Sequence, residues 1–223
     1  MSAQQVYEAS SILKVVAKDW RELLAGSEGY LTGHDRRGLY RHTVVWGDMD
    51  SMGHVNNCVY NKWAESGRCV WGRKFAALDP QNAEAWTEMF TPRGQGLILK
   101  SIKTDFKFPM TWPDYVTVYH KLGTEPTSET ESFTLDVLIL SELHRRPAAR
   151  CVEDIVVYDY RKATKVPLMP FMATSFKDTW RLQEEAKRVN SERVQDILER
   201  VRDLEQQTWD RPDAVEDHGS GTK

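Results

Sequence analysis

The sequence predicts an α+β fold, and three features of its order predict it. A short strand-like run precedes one long proline-free helix, four β-rich runs follow that helix, and turns rather than helices separate those runs. The first strand is expected at about residues 41–46. The helix is expected at 58–78, where Val59, Trp63 and Val70, joined by Cys69 or Ala77, recur on one stripe. The later runs, 97–108, 115–122, 132–143 and 149–160, are rich in β-branched and aromatic residues. Trp112-Pro113-Asp114, Glu125-Pro126-Thr127 and Arg145-Arg146-Pro147 lie between them, which suits hairpins and an antiparallel sheet.

Flanking segments extend this core. From residue 6 to 24, Val6, Ile12, Leu13, Val16, Trp20, Leu23 and Leu24 recur near helical spacing, and Gly26 is a plausible stop. The polar stretch 29–37 is expected to connect that helix to the first strand. A second charged helix is expected at 176–208, where Val194, Ile197, Val201 and Leu204 repeat at a/d spacing. Two heptads do not stand alone, so this helix packs on its own domain or pairs with a partner helix. The expected organisation is therefore an N-terminal helix and connector over 1–40, one core domain over 41–165, a helical extension over 166–210 and a disordered end over 211–223.

Composition narrows the function classes. The 30 basic and 33 acidic residues leave a formal net charge of −3, which argues against binding nucleic acid through an overall positive field. The three cysteines, Cys58, Cys69 and Cys151, are odd in number and widely spaced, which fits reduced thiols in an intracellular protein. Without a CxxC pair, no structural metal is expected. The longest apolar runs, such as Val137 to Leu140, fall far below a membrane span. The first residues, with Glu8 and Asp19 and no arginine before Arg21, are unlike a transit peptide. A cytoplasmic location is expected, with mitochondria as the alternative.

The chemistry concentrates between the first strand and the long helix. There the chain reads Trp46-Gly47-Asp48-Met49-Asp50-Ser51-Met52-Gly53-His54-Val55-Asn56-Asn57. Backbone N–H groups at a helix start are unpaired within the helix and point outward, so they can hold a developing oxyanion. A carboxylate just upstream can attack a carbonyl or activate water beside it. Asp and Asn before a helix are also the commonest caps and turn-formers, and a lone histidine such as His54 is commonly structural. From these residues alone, both readings stand. Cys58, at the helix start with a histidine nearby, has some features of a nucleophile, but spacing places it with Cys69 on one helical face, as two small buried residues would be.

The run from Trp46 to Tyr60, followed by Ala64-Glu65-Ser66-Gly67-Arg68, resembles the signature of hotdog-fold acyl-CoA and 4-hydroxybenzoyl-CoA thioesterases. It is also similar to the second half-domain of plant acyl-carrier-protein thioesterases, where the His-Val-Asn-Asn-x-x-Tyr string recurs. The motif matches closely and the element order over 41–160 more loosely, while both terminal helices lie outside. The resemblance implies a hotdog fold, an antiparallel sheet of five strands wrapped around one long helix, here with added N- and C-terminal helices. It implies that Asp50 is the catalytic carboxylate, that Asp48 is structural, and that the backbone N–H of Asn57 polarises the thioester carbonyl. Gly96 is in register for a second N–H donor. His54 matches the plant histidine, although Met52 replaces the asparagine that accompanies it there. Glu65, eight residues after Asn57, is a candidate second carboxylate or a surface residue pairing near Arg68. The family pattern gives Cys58 no nucleophilic role.

The same resemblance implies acyl pockets at the interface of paired subunits, so a homodimer or homotetramer is expected. An open sheet edge supplies an independent reason for pairing. No cofactor is expected beyond coenzyme A as part of the substrate, an acyl-CoA or acyl-carrier thioester. Lys121, Arg145, Arg146 and Arg150 are candidates for its phosphates. Trp63, Trp71, Met52, Met89 and Met110 suit an adaptable acyl channel or an ordinary core. The expected activity is hydrolysis of acyl or aroyl thioesters. The alternatives are a hotdog dehydratase or isomerase, or a non-catalytic acyl-binding or assembly subunit.

Overall fold

A computed structural model describes residues 1–210, so the end expected at 211–223 lies outside the described residues. Helix α1 (Ala3–Leu24) opens with a capping box in which Ser2 Oγ accepts the Gln5 N–H and the Gln5 side chain accepts the Ser2 N–H. Strand β1 (His42–Val44) leads through a hairpin into α2 (Asn57–Leu78). A short α3 (Ala83–Glu88) comes next, then β2 (Gln95–Phe106), β3 (Asp114–Leu122), β4 (Ser132–Ser141), β5 (Arg146–Asp159), β6 (Thr164–Lys165) and α4 (Pro170–Gln207). Both α3 and β6 are additions to the expected set, and α4 begins six residues earlier than expected, with Pro170 in its first turn, where a missing N–H costs nothing.

The strands form one antiparallel sheet in the order β1-β3-β4-β5-β2, with β6 on β5. Its inner face wraps α2. Val118, Val137, Ile139 and Cys151 form one buried cluster with Tyr60, Trp63 and Ala64, and Trp71 and Phe75 form a second with Trp86, Leu122, Leu135, Ile155 and Phe176. Each large side chain so buried contributes roughly 1.5–3 kcal/mol. The buried stripe of α2 is therefore Tyr60, Trp63, Ala64, Gly67, Trp71 and Phe75, while Val70 and Ala77, expected on it, are exposed. At Gly67 the helix comes so close that a Cβ would meet His120 at 2.8 Å and Val118 at 2.9 Å. Cys58 is exposed, which corrects its expected burial with Cys69.

The outer face is covered by α1, the turn after it and α4, through Trp20, Tyr30, Tyr119, Leu138 and Leu140. Glu142, almost wholly buried, fastens α1 to the sheet, accepting from Arg21, Arg41 and the Thr117 hydroxyl. Gln183 docks α4 through both halves of its amide, on the Leu122 N–H (2.9 Å) and C=O (3.1 Å). Further along, α4 lies against α1, with Arg193–Asp19 and Arg200–Glu8 ion pairs and Val194, Ile197, Val201 and Leu204 half-buried. The a/d repeat thus meets a helix of the same chain. Among the described residues, no helix is long and apolar enough to cross a membrane.

Candidate active site

Between β1 and α2 the chain folds into a tight hairpin. Asn56 N–H donates to the Asp48 C=O (2.9 Å), Asp50 N–H to the His54 C=O (2.8 Å), and Gly53 N–H to the Asp50 C=O (3.1 Å). Gly53 closes the turn at φ 77°, a conformation that favours glycine. Val55 N–H donates to the buried Met110 C=O (2.8 Å), which pins the hairpin to the connection between β2 and β3. This geometry puts Asp50 and His54 opposite one another and delivers the chain directly into the first turn of α2.

The capping roles and the candidate catalytic role occupy different atoms. Asp48 Oδ2 accepts the Val45 N–H (3.0 Å), and Asn56, the N-cap of α2, accepts the Cys58 N–H (2.9 Å). Asp50 Oδ1 accepts the Met52 N–H (2.8 Å), which fixes its rotamer. Among the described residues, the second oxygen of Asp50 has no hydrogen-bond partner, and neither does the Asn57 N–H at the start of α2. Asp50 is half-buried; His54 and Asn57 are exposed.

Aromatic and basic groups gather at the same end of the sheet. Trp46 and Trp112 meet edge to face at 5.8 Å, and both are exposed. Arg145 and Arg146 lie at the exposed tip between β4 and β5, where the Arg146 guanidinium sits 4.6 Å over the Phe108 ring. Phe108 in turn touches Tyr60 of α2 through its carbonyl.

Three expected site residues lie elsewhere. Lys121 and Arg150 face outward, where Lys121 donates to the Glu28 C=O (2.7 Å) and Arg150 grips the Glu28 carboxylate with both nitrogens (2.6 Å each). They clamp the turn after α1 to the sheet, so neither reaches the hairpin. Gly96 is at the far end of β2 from Phe106, which packs against Tyr60, and ten residues of strand span about 33 Å. Within one chain it is not beside Asn57.

Glu65 is exposed on α2, two turns and about 12 Å beyond Asn57, and among the described residues it forms no ion pair, while Arg68 pairs with Glu153. It lines a cavity of about 350 Å³ with Arg68, Trp71, Phe90, Leu97 and Leu135 among others, and Asp50 does not line it. Behind its wall is a group that hydropathy did not reveal. Arg68 donates to Glu153 Oε1 at 2.5 Å, while Glu153 Oε2 faces His120 Nε2 at 3.9 Å with both side chains fully buried. Burial, and then the Arg68 charge, push His120 down to about 3; the Ala64 carbonyl approaches it without meeting hydrogen-bond geometry. Burial pushes Glu153 up against the pull of Arg68. The sequence signal was strand parity, since residues 118, 120 and 122 on β3 and 151, 153 and 155 on β5 alternate onto the inner face.

A family model described as the thioesterase-like superfamily matches residues 44–177. No curated protein matches the chain. Among solved structures, a candidate thioesterase from Prochlorococcus marinus is 15% identical, with a TM-score of 0.51, covering 64% of this chain and 94% of its own. A 1,4-dihydroxy-2-naphthoyl-CoA thioesterase from Synechocystis is 19% identical (TM-score 0.49, 64% and 96%). A Thermus thermophilus thioesterase complexed with coenzyme A and Zn is also 19% identical (TM-score 0.48, 70% and 98%). The match spans β1 through the first turns of α4, and the sheet wrapped on α2 is the hotdog fold.

Proposed function

The chain belongs to the thioesterase-like superfamily, and from that premise we propose that it hydrolyses acyl or aroyl thioesters, with coenzyme A the favoured thiol. One observation supports the placement of the chemistry. Asp50 has one oxygen locked to its own turn and the other free, on a hairpin that ends at an unpaired helix-start N–H. The free oxygen takes a proton from water as that water bonds to the thioester carbon, or bonds to the carbon itself as nucleophile. The Asn57 N–H receives the carbonyl oxygen as it becomes an oxyanion. In the first route collapse breaks the C–S bond and the departing thiolate takes the proton that Asp50 holds; in the second, collapse expels the thiolate and leaves an anhydride on Asp50, which water hydrolyses to the free acid, and the proton left on Asp50 passes to the thiolate. Arg145 and Arg146 are the basic residues best placed to meet phosphates at this end.

The acting unit in this proposal is a dimer built on β2, whose outer edge pairs with no strand among the described residues. Two such edges, laid antiparallel about Ser101, would put Gly96 of one copy opposite Phe106 of the other. That brings the second N–H donor to the neighbouring helix start, which one chain alone does not do. Sedimentation at micromolar protein should give a dimer or a multiple of it; a monomer that turns over substrate would remove this arrangement.

The activity is tested by thiol release from a panel of short, long, branched and aromatic acyl-CoAs. Release from at least one class, with the free acid found by mass, is expected. An enoyl thioester as product, or no release from any, would sink the hydrolase reading.

A further inference from the structure

Tyr60 is buried one turn into α2, with its ring against Trp63 (5.4 Å) and Phe106 (5.2 Å). Its hydroxyl accepts the Met110 N–H (3.1 Å) and donates to the Phe108 C=O (3.5 Å). The carbonyl of that same Met110 accepts the Val55 N–H (2.8 Å), two residues before Asn57. Met110 is fully buried in the connection between β2 and β3, and this one residue ties the hairpin to that connection with its C=O and the helix to it with its N–H. The Trp112 N–H donates to the Met49 Sδ (3.3 Å) from the same connection, and the remaining hydrogen bonds that shape the 48–57 hairpin are local to it or to flanking residues such as Val45.

We propose that Tyr60 is the positioning residue of the site, its hydroxyl holding Met110 so that the Asn57 N–H and the free oxygen of Asp50 keep a fixed spacing. The proposal rests on the Asp50 and Asn57 reading given above. Without the hydroxyl, Met110 N–H loses its acceptor among the described residues, and the hairpin arm that carries Val55 is free to shift. A misplacement of about an ångström is enough to cost a large factor in rate. Substrate affinity, which draws on contacts further from the reacting atoms, changes little.

The test is Tyr60→Phe, which keeps the ring contacts, beside Tyr60→4-aminophenylalanine, which fills the same space and still donates to Phe108 but accepts poorly from Met110. Both should lower kcat about tenfold or more with KM within about twofold, and amide exchange at Val55 and Met110 should quicken about tenfold. Trp86→Phe removes a comparable donor at the other end of α2, where Trp86 Nε1 meets Asp79 Oδ2 at 3.0 Å. It should lower Tm to a similar extent and leave kcat unchanged. Unchanged kcat in either Tyr60 variant, or an equal fall in kcat in Trp86→Phe, would overturn the proposal. If Asp50→Asn is inactive while Tyr60→Phe is fully active, only the positioning role fails. If Asp50→Asn is fully active, the site itself has been misassigned, whatever Tyr60 does.

Discussion

Replacing Asp50 with asparagine is expected to lower kcat on any thioester the protein hydrolyses by about 10²- to 10⁴-fold, the range ordinarily supplied by a positioned general base. The substitution is informative because Asp50 has two separable jobs. Its Oδ1 closes the turn by accepting the Met52 N–H, and an asparagine carbonyl can do the same at 2.8 Å. Only the basic oxygen is lost, so Tm should move by less than about 1 °C. Asp50→Ala removes both functions, and it should add a stability loss of about 1 kcal/mol, the usual worth of a local side-chain bond to backbone, to the same loss of rate. Stopped-flow or thiol-release kinetics on the two variants, with thermal melts, make the comparison. Full activity in Asp50→Asn would remove the carboxylate from the mechanism.

The order of elements was legible because the β-rich runs and the proline-free helix differ in length and in composition. What escaped was written in residues that hydropathy ignores. The inner stripe of α2 runs through Gly67 and Ala64, whose smallness lets the helix settle on Val118 and His120. A scan for large apolar residues therefore favoured Val70, which faces solvent at 37% exposure. Lys121 and Arg150 looked like free cations because nothing local announces that Glu28, more than ninety residues away in sequence, lies over them. Gly96 rests on the family register, but a register along the chain does not say which end of the sheet, or which copy of the chain, a residue serves. Asp50 and Asn57 were legible as a motif because the hairpin that joins them is local. Tyr60 belongs to the same string, but its role needed Met110, fifty residues on.

The largest stability effect is expected at Arg68. Glu153 is fully buried, and Arg68 supplies both its hydrogen bond and its only opposite charge among the described residues. Arg68→Met fills the space of the stem but leaves that carboxylate unpaired, a change that typically costs about 3–5 kcal/mol and here should lower Tm by roughly 10 °C. Acidity should relieve it. Losing Arg68 removes the two influences that hold the Glu153 carboxyl down, so its folded pKa rises further above the unfolded value. Stability from such a group is present in full below the unfolded pKa and is lost as pH rises through the folded one. Losing Arg68 also lifts the repulsion that depresses His120, which then takes a proton more readily beside Glu153. Both effects have the same sign, so the deficit of Arg68→Met relative to the parent should shrink as pH falls from about 8 towards 5.5. Adding Glu153→Gln removes the unpaired charge and should restore most of the lost Tm, with the Glu153 part of the pH dependence gone. A deficit that grows on acidification, or a double variant no more stable than Arg68→Met, would mean that Arg68 acts through packing alone rather than by neutralising the charge beneath α2.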